Sequence, residues 1–175
     1  MQKLNELFEI LKILLPSLVV FLVVFFLVNK YFKEEKQKRH QQIITKNQEI
    51  ITPLRLQAYE RIVLFLERIS PENLVIRVDK PGYTCSQLHA ELINNIKAEF
   101  EHNLTQQLYV SISSWEEVRN AKAQLIHMIN TAFEKTKPDQ PSIHLSREIF
   151  DMTVKQPRLY TAEAINHVKE EMSSL

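Results

Sequence analysis

The sequence predicts an all-α protein: an N-terminal transmembrane helix and stalk, followed by a small helical domain of about five helices, with one short two-stranded element as an option. Three observations lead there. The chain holds one uncharged apolar run, Ile13 to Val28. Beyond residue 51, apolar residues recur at i, i+3 and i+4 rather than in alternation. Gly82 is the only glycine in 175 residues, and β-rich folds use glycine heavily in their turns. The same scarcity excludes a P-loop, a dinucleotide fingerprint and a nucleophile elbow, each of which needs glycines at fixed offsets.

The first segment, 1–29, reads as the membrane anchor. A bilayer core needs roughly 20 helical residues. Ile10 and Leu11 extend the run at one end if Lys12 snorkels, and Tyr31 and Phe32 extend it at the other as an interfacial pair. Pro16 predicts a slight kink or a fresh helix start. Phe-Leu-Val-Asn-Lys-Tyr closes the run without the small residues of a signal-peptidase site. Leu4, Leu7, Phe8 and Leu11 share one helical face before it. Lys30, Lys33, Lys36, Lys38 and Arg39 follow the run, against Lys3 and Lys12 before it. That asymmetry predicts an N-terminus outside and a C-terminal domain in the cytoplasm. The same five residues are candidate lipid headgroup contacts, each worth about 1 kcal/mol near an anionic surface.

Residues 30–51 read as a basic juxtamembrane helical stalk. Ile43, Ile44, Ile50 and Ile51 recur at a spacing of seven, short of the three or four heptads of a coiled coil. Residues 52–175 read as the cytoplasmic domain. Thr52-Pro53 predicts a helix start, and Leu54, Ala58, Ile62, Phe65, Leu66 and Ile69 share a face. Ser70-Pro71 ends that helix. Residues 74–78 and 108–112 are open between short strands and helical turns. Asp79 to Gly82 is a turn. Thr84 with Gln87 is a capping box opening a helix with Leu88, Leu92, Ile96, Phe100 and Leu104 in a stripe. Ser114 with Glu117 predicts another, lined by Trp115, Val118, Leu125, Ile129 and Ala132. Leu145, Ile149 and Met152 mark the next helix, which Gln156-Pro157 breaks. Thr161 is expected to cap the last, with Ile165, Val168 and Met172.

Composition narrows the function. A formal charge of +1 gives no pull on nucleic acid. Cys85 is alone and makes no disulfide framework, in keeping with a reducing compartment. Glu99-x-x-His102 matches part of a ferritin-like metal motif, but such a site needs two further glutamates and a second Glu-x-x-His, and the sequence has no second copy. Cys85 and His89 stand at i and i+4 at a helix start, without the third orienting group that nucleophilic catalysis needs. No catalytic, cofactor or metal site is therefore expected. The amide- and hydroxyl-rich stretch Asn103 to Ser113 suits helix capping and an internal turn, the alternative being reception of a partner strand or peptide.

The strings Thr-Pro-Leu-Arg-Leu-Gln-Ala-Tyr-Glu-Arg-Ile-Val-Leu-Phe-Leu-Glu-Arg (52–68) and Glu-Phe-Glu-His-Asn-Leu-Thr-Gln-Gln-Leu-Tyr-Val-Ser (99–111) resemble an uncharacterised family of short bacterial single-pass membrane proteins, a domain of unknown function. The resemblance covers most of the chain, anchor included. It implies a bacterial inner-membrane location and carries over no activity. The expected role is a non-enzymatic interaction or accessory module that touches the bilayer and a protein partner or a second copy. Leu56, Tyr59 and Val63, off the stripe through Leu54 and Ala58, are the candidate partner surface. The alternative is that they contact neighbouring helices all round. A second expectation is a stalk, similar in plan to the b subunit of rotary ATP synthases; the later prolines argue against its long unbroken helix. A third is an enzyme with an unrecognised site.

Overall fold

The computed structural model describes residues 2–155 and 160–174, leaving aside the side chains of 2–11, 13–17 and 40. Six α-helices follow one another: α1 (Gln2–Ile69), α2 (Pro71–Val78), α3 (Cys85–His102), α4 (Ile112–Glu134), α5 (Ile143–Lys155) and α6 (Tyr160–Ser173), with a 3-10 turn at Leu104–Leu108. The described residues contain no strand. Contacts divide the chain into two units, Met1–Ile50 and Ile51–Leu175.

The first unit is helical throughout. Its described side chains are exposed but for Glu35, which Arg39 reaches one turn on at 2.6 Å. Leu18 to Val28 are 45–71% exposed. Among the described residues, no helix is long and apolar enough to cross a membrane. The described side chains of the run begin at Leu18; those of Ile13–Ser17 lie outside the described residues, as does the Leu4–Leu11 face.

α1 runs through Pro16 and Pro53, which corrects the expected helix start at Pro53 and, of the two alternatives at Pro16, the fresh start. Proline deletes one backbone donor and crowds the carbonyl four residues back. At Pro53 that carbonyl belongs to Glu49, an exposed residue, so solvent can take the bond.

The second unit buries one core. Ala58, Tyr59, Ile62, Phe65, Leu66 and Ile69 are its α1 contribution, while Leu54 is 41% exposed. Residues 74–78 are helical. Pro71 starts α2, and Leu74, Val75 and Val78 are buried while Ile76 is 77% exposed. A strand there would need a partner. The other β-prone piece instead closes the 3-10 turn with Leu108 and opens α4 with Ile112, both well exposed. The optional two-stranded element is therefore absent among the described residues: 74–78 are helix, and 108–112 are the link between the 3-10 turn and α4.

Lys80-Pro81-Gly82-Tyr83 is a turn closed by Tyr83 N–H to the Lys80 carbonyl at 3.1 Å. Gly82 sits at φ +87°, a conformation that favours glycine. The Thr84–Gln87 capping box is present, with bonds of 3.2 and 3.0 Å. The next two donors of α3 are also taken: Cys85 N–H bonds the Gln140 carbonyl at 2.8 Å, and Ser86 N–H that of Pro138 at 3.1 Å. α3 buries Leu88, Leu92 and Ile96 completely, and beyond them Phe100 stacks on Trp115 and meets Phe65 at a tilt of 58°.

The cap of α4 is Ser111, whose hydroxyl accepts Ser114 N–H at 3.1 Å; the expected Ser114 cap lies inside the helix, fully buried. Thr161 likewise sits within α6 rather than before it. The Gln156-Pro157 break lies outside the described residues.

Candidate interaction surface

One carboxylate ties down the last turn of α6. Glu171 Oε1 accepts the Tyr59 hydroxyl at 2.6 Å and Ser111 N–H at 2.8 Å. Its Oε2 accepts the hydroxyls of Ser111, at 2.6 Å, and Ser114. Arg55 stands 3.6 Å from Oε1, and its guanidinium also donates to the Tyr59 oxygen at 3.0 Å and the Tyr109 carbonyl at 3.1 Å. Ser111 caps α4, so the carboxylate occupies the positive end of that helix. Burial by itself would raise the Glu171 pKa. The donors from Ser111, Ser114 and Tyr59 outweigh it and hold the group down at about 2. The Tyr59 phenol is pushed up, by burial first and then by its bond to Glu171.

This knot decides what α1 leaves open. Tyr59 is 1% exposed and engaged with Glu171, which corrects its assignment to a partner surface. Leu56 is 44% exposed and Val63 half-buried. A tyrosine ring packs inward on this helix because its hydroxyl finds partners there. Between α1 and α6 lies a groove of about 350 Å³, with Val63, Leu64, Val168 and Met172 as its apolar lining. Glu60, Glu67 and Lys169 also line it. Leu64, 58% exposed, stands between this groove and a second one, of about 580 Å³, against α3.

The second groove contains Glu99 and His102. Glu99 is claimed by two arginines, Arg68 at 2.6 Å and Arg77 at 3.2 Å. His102 turns its Nδ1 to the Ala98 carbonyl of its own helix at 3.3 Å. A carboxylate held by two guanidinium groups is a poor metal ligand. Among the described residues no three His, Cys, Asp or Glu side chains converge as a metal site would need.

Cys85 and His89 do not combine either. The Cys85 thiol is fully buried and donates to the Pro141 carbonyl at 3.3 Å. The His89 ring stacks on Phe133 at 4.3 Å and bonds Asn130 Oδ1 at 2.8 Å. In the first unit, Lys30, Lys33, Lys36 and Lys38 are exposed without an ion pair among the described residues, while Arg39 is paired with Glu35. Glu171 is the residue that sequence reasoning missed. Its partners lie 57 to 116 positions away, and no local pattern joins them.

The fold and surface define a small helical domain carrying a long N-terminal helix, with the carboxylates Glu99 and Glu171 paired internally and its free surface partly apolar. The chain belongs to a family of unknown function (DUF7935), whose model matches residues 5–175. Neither a curated protein nor a solved structure matches it.

Proposed function

We propose that this protein is a membrane-anchored, non-enzymatic interaction module, with the run Ile13–Val28 as a single-pass anchor in a bacterial inner membrane and the domain on the cytoplasmic side. The observation that carries the reading is the exposure of Leu18 to Val28. Eleven consecutive apolar residues stand 45–71% exposed around the whole helix. A helix that is apolar all round calls for an apolar surrounding, and no other element of the first unit supplies one. The five uncharged residues before Leu18 bring the run toward the length of a bilayer core. The basic residues beyond it support the orientation and an anionic headgroup contact.

Extraction of membranes with alkaline carbonate tests the anchor. The chain is expected in the pellet and in solution only after detergent. Release by carbonate would overturn the anchor. Asn120→Cys, on the exposed surface of α4, tests the orientation. It should react with an impermeant maleimide only after lysis; reaction in intact cells would reverse the topology. Native Cys85 is buried and gives a silent background.

The unbroken course of α1 from Gln2 to Ile69 supports a second reading, a stalk-like subunit of a membrane assembly. Pro53 does not interrupt the helix as that reading required it not to. The two readings part on what is captured by crosslinking in membranes: a peripheral partner for the module, an integral complex for the stalk.

A further inference from the structure

We infer that the stalk of α1 pairs in parallel and in register with the stalk of a second copy, through the face centred on Asn47; the inference rests on the anchor reading above. At 3.6 residues per turn, Ile43, Ile44, Ile50 and Ile51 flank Asn47 on one side of the helix. The four isoleucines are 45–65% exposed, and Asn47 is exposed as well. Such a stripe in water calls for cover, because helices draw most of their stability from packing an apolar face.

The chemistry at its centre selects the occupant. An asparagine amide is both donor and acceptor, so the group that best satisfies Asn47 across a dry seam is another asparagine at the same height. A polar residue of this kind at one seam position fixes register and partner number in coiled coils. With Asn47 at heptad position a, Ile43 and Ile50 fall at d. Ile44 and Ile51 then occupy both e positions, so no like charges face each other across the flanks. The Lys46 stem, at g, is placed to cover the e-position isoleucine of the other copy.

Nine residues, little more than one heptad, make a weak seam for free chains in solution. Tethering both copies to one bilayer raises their effective concentration and sets them parallel, which makes a short seam sufficient.

Cysteine scanning of the full chain in washed membranes tests this. Cysteines placed singly at Ile43, Asn47 and Ile50 should form symmetric disulfides, since seam residues of paired helices come within the roughly 4.4–6.8 Å between Cα atoms that a disulfide needs. Gln42, Thr45 and Glu49, on the opposite face, should give roughly tenfold less. Equal yields at all six positions, or products with a different protein in place of the dimer, would overturn the pairing. Ile43 linking to Ile51 across copies more readily than to itself would mean an antiparallel seam and overturn it too. A chain absent from the washed membranes overturns the anchor reading first and removes the tether on which the seam depends. A membrane-bound chain without the periodic pattern overturns the seam alone.

Discussion

Replacing Glu171 by Gln should destabilise the domain at neutral pH and make its stability less sensitive to acid. The substitution keeps size and shape but removes the charge at the start of α4. It also turns an amide toward Ser111 N–H and the Ser111, Ser114 and Tyr59 hydroxyls, all donors to the native carboxylate, and toward the Arg55 guanidinium paired with it. A carboxyl held at about 2 rather than at its usual 4.5 favours the folded state by about 3 kcal/mol at 1.36 kcal/mol per pKa unit. The Glu171 side chain keeps 15% of its exposure and Arg55 33%, so screening lowers the expected loss to about 2 kcal/mol.

The sign follows from the depressed pKa. The stabilisation is complete above the unfolded-state value near 4.5 and disappears as pH falls through the folded value near 2. Wild type and E171Q should therefore differ most at pH 6–7 and converge toward pH 2. Trp115, the only tryptophan, is 8% exposed and stacks on Phe100 in the core, so its fluorescence during urea unfolding reports the domain without interference from the rest of α1. A loss below about 0.5 kcal/mol at pH 7, or a difference that stays constant down to pH 3, would refute the role assigned to this carboxylate.

Tyr59→Phe removes one donor to Glu171 and should cost about 1 kcal/mol, with the acid transition of wild type moving to higher pH; an unchanged transition in the same fluorescence titration would separate Tyr59 from the knot. Leu56→Ser should change urea stability by less than about 0.5 kcal/mol, and Val63→Ser, half-buried, by about 1 kcal/mol. If both leave every association of the parent chain intact, the α1–α6 groove is not a binding surface. Cys85 should resist a thiol reagent in the native domain and react fully in urea; rapid native labelling would contradict its burial.

The helix stripes and the Thr84 box were legible because their causes are local: a period of 3.6, and two side chains three residues apart that satisfy each other's backbone. The misread elements share a different cause. Thr52-Pro53 has the composition of a helix start, yet an exposed proline is tolerated where solvent can take the freed carbonyl. Residues 74–78, open in sequence between strand and helical turn, are helical: they are β-branched enough for a strand, but a strand needs a partner 30 residues away, and that partner is itself a turn and a helix start. The cap of α4 was placed three residues late because Ser111 and Ser114 both suit a cap. What separates them is Glu171, which takes both hydroxyls and leaves Ser111 alone to receive a first-turn N–H. The burial of Tyr59 has the same origin. Its neighbours in sequence mark it as one of several apolar residues around α1, and only the distant carboxylate gives its hydroxyl a reason to face inward.

That pattern bears on the choice between module and enzyme. Several residues with chemical capacity are engaged with one another: Glu171 with hydroxyls and Arg55, Glu99 with Arg68 and Arg77, Cys85 with a backbone carbonyl, His89 with Phe133 and Asn130, whereas Asp79 bonds Ser146 through one oxygen and keeps the other buried without a partner. Each interaction joins two helices or a helix and a loop, so each has a structural use that accounts for it. A catalytic group must instead keep a lone pair or a proton directed at open space, in a position fixed by a second group. The side chains without a partner inside the domain are of another kind. Leu56, Leu64 and Met172 stand 38–58% exposed on and beside the α1–α6 groove, near the carboxylates Glu60 and Glu67 and the ammonium of Lys169. A surface that is apolar at its centre and charged at its edge is suited to hold a neighbouring protein, since the apolar part supplies affinity and the charges select orientation. The placement of chemistry inside and apolar area outside thus supports an interaction role through what the residues are already bound to, and the Leu56 and Val63 substitutions test that role independently of the anchor.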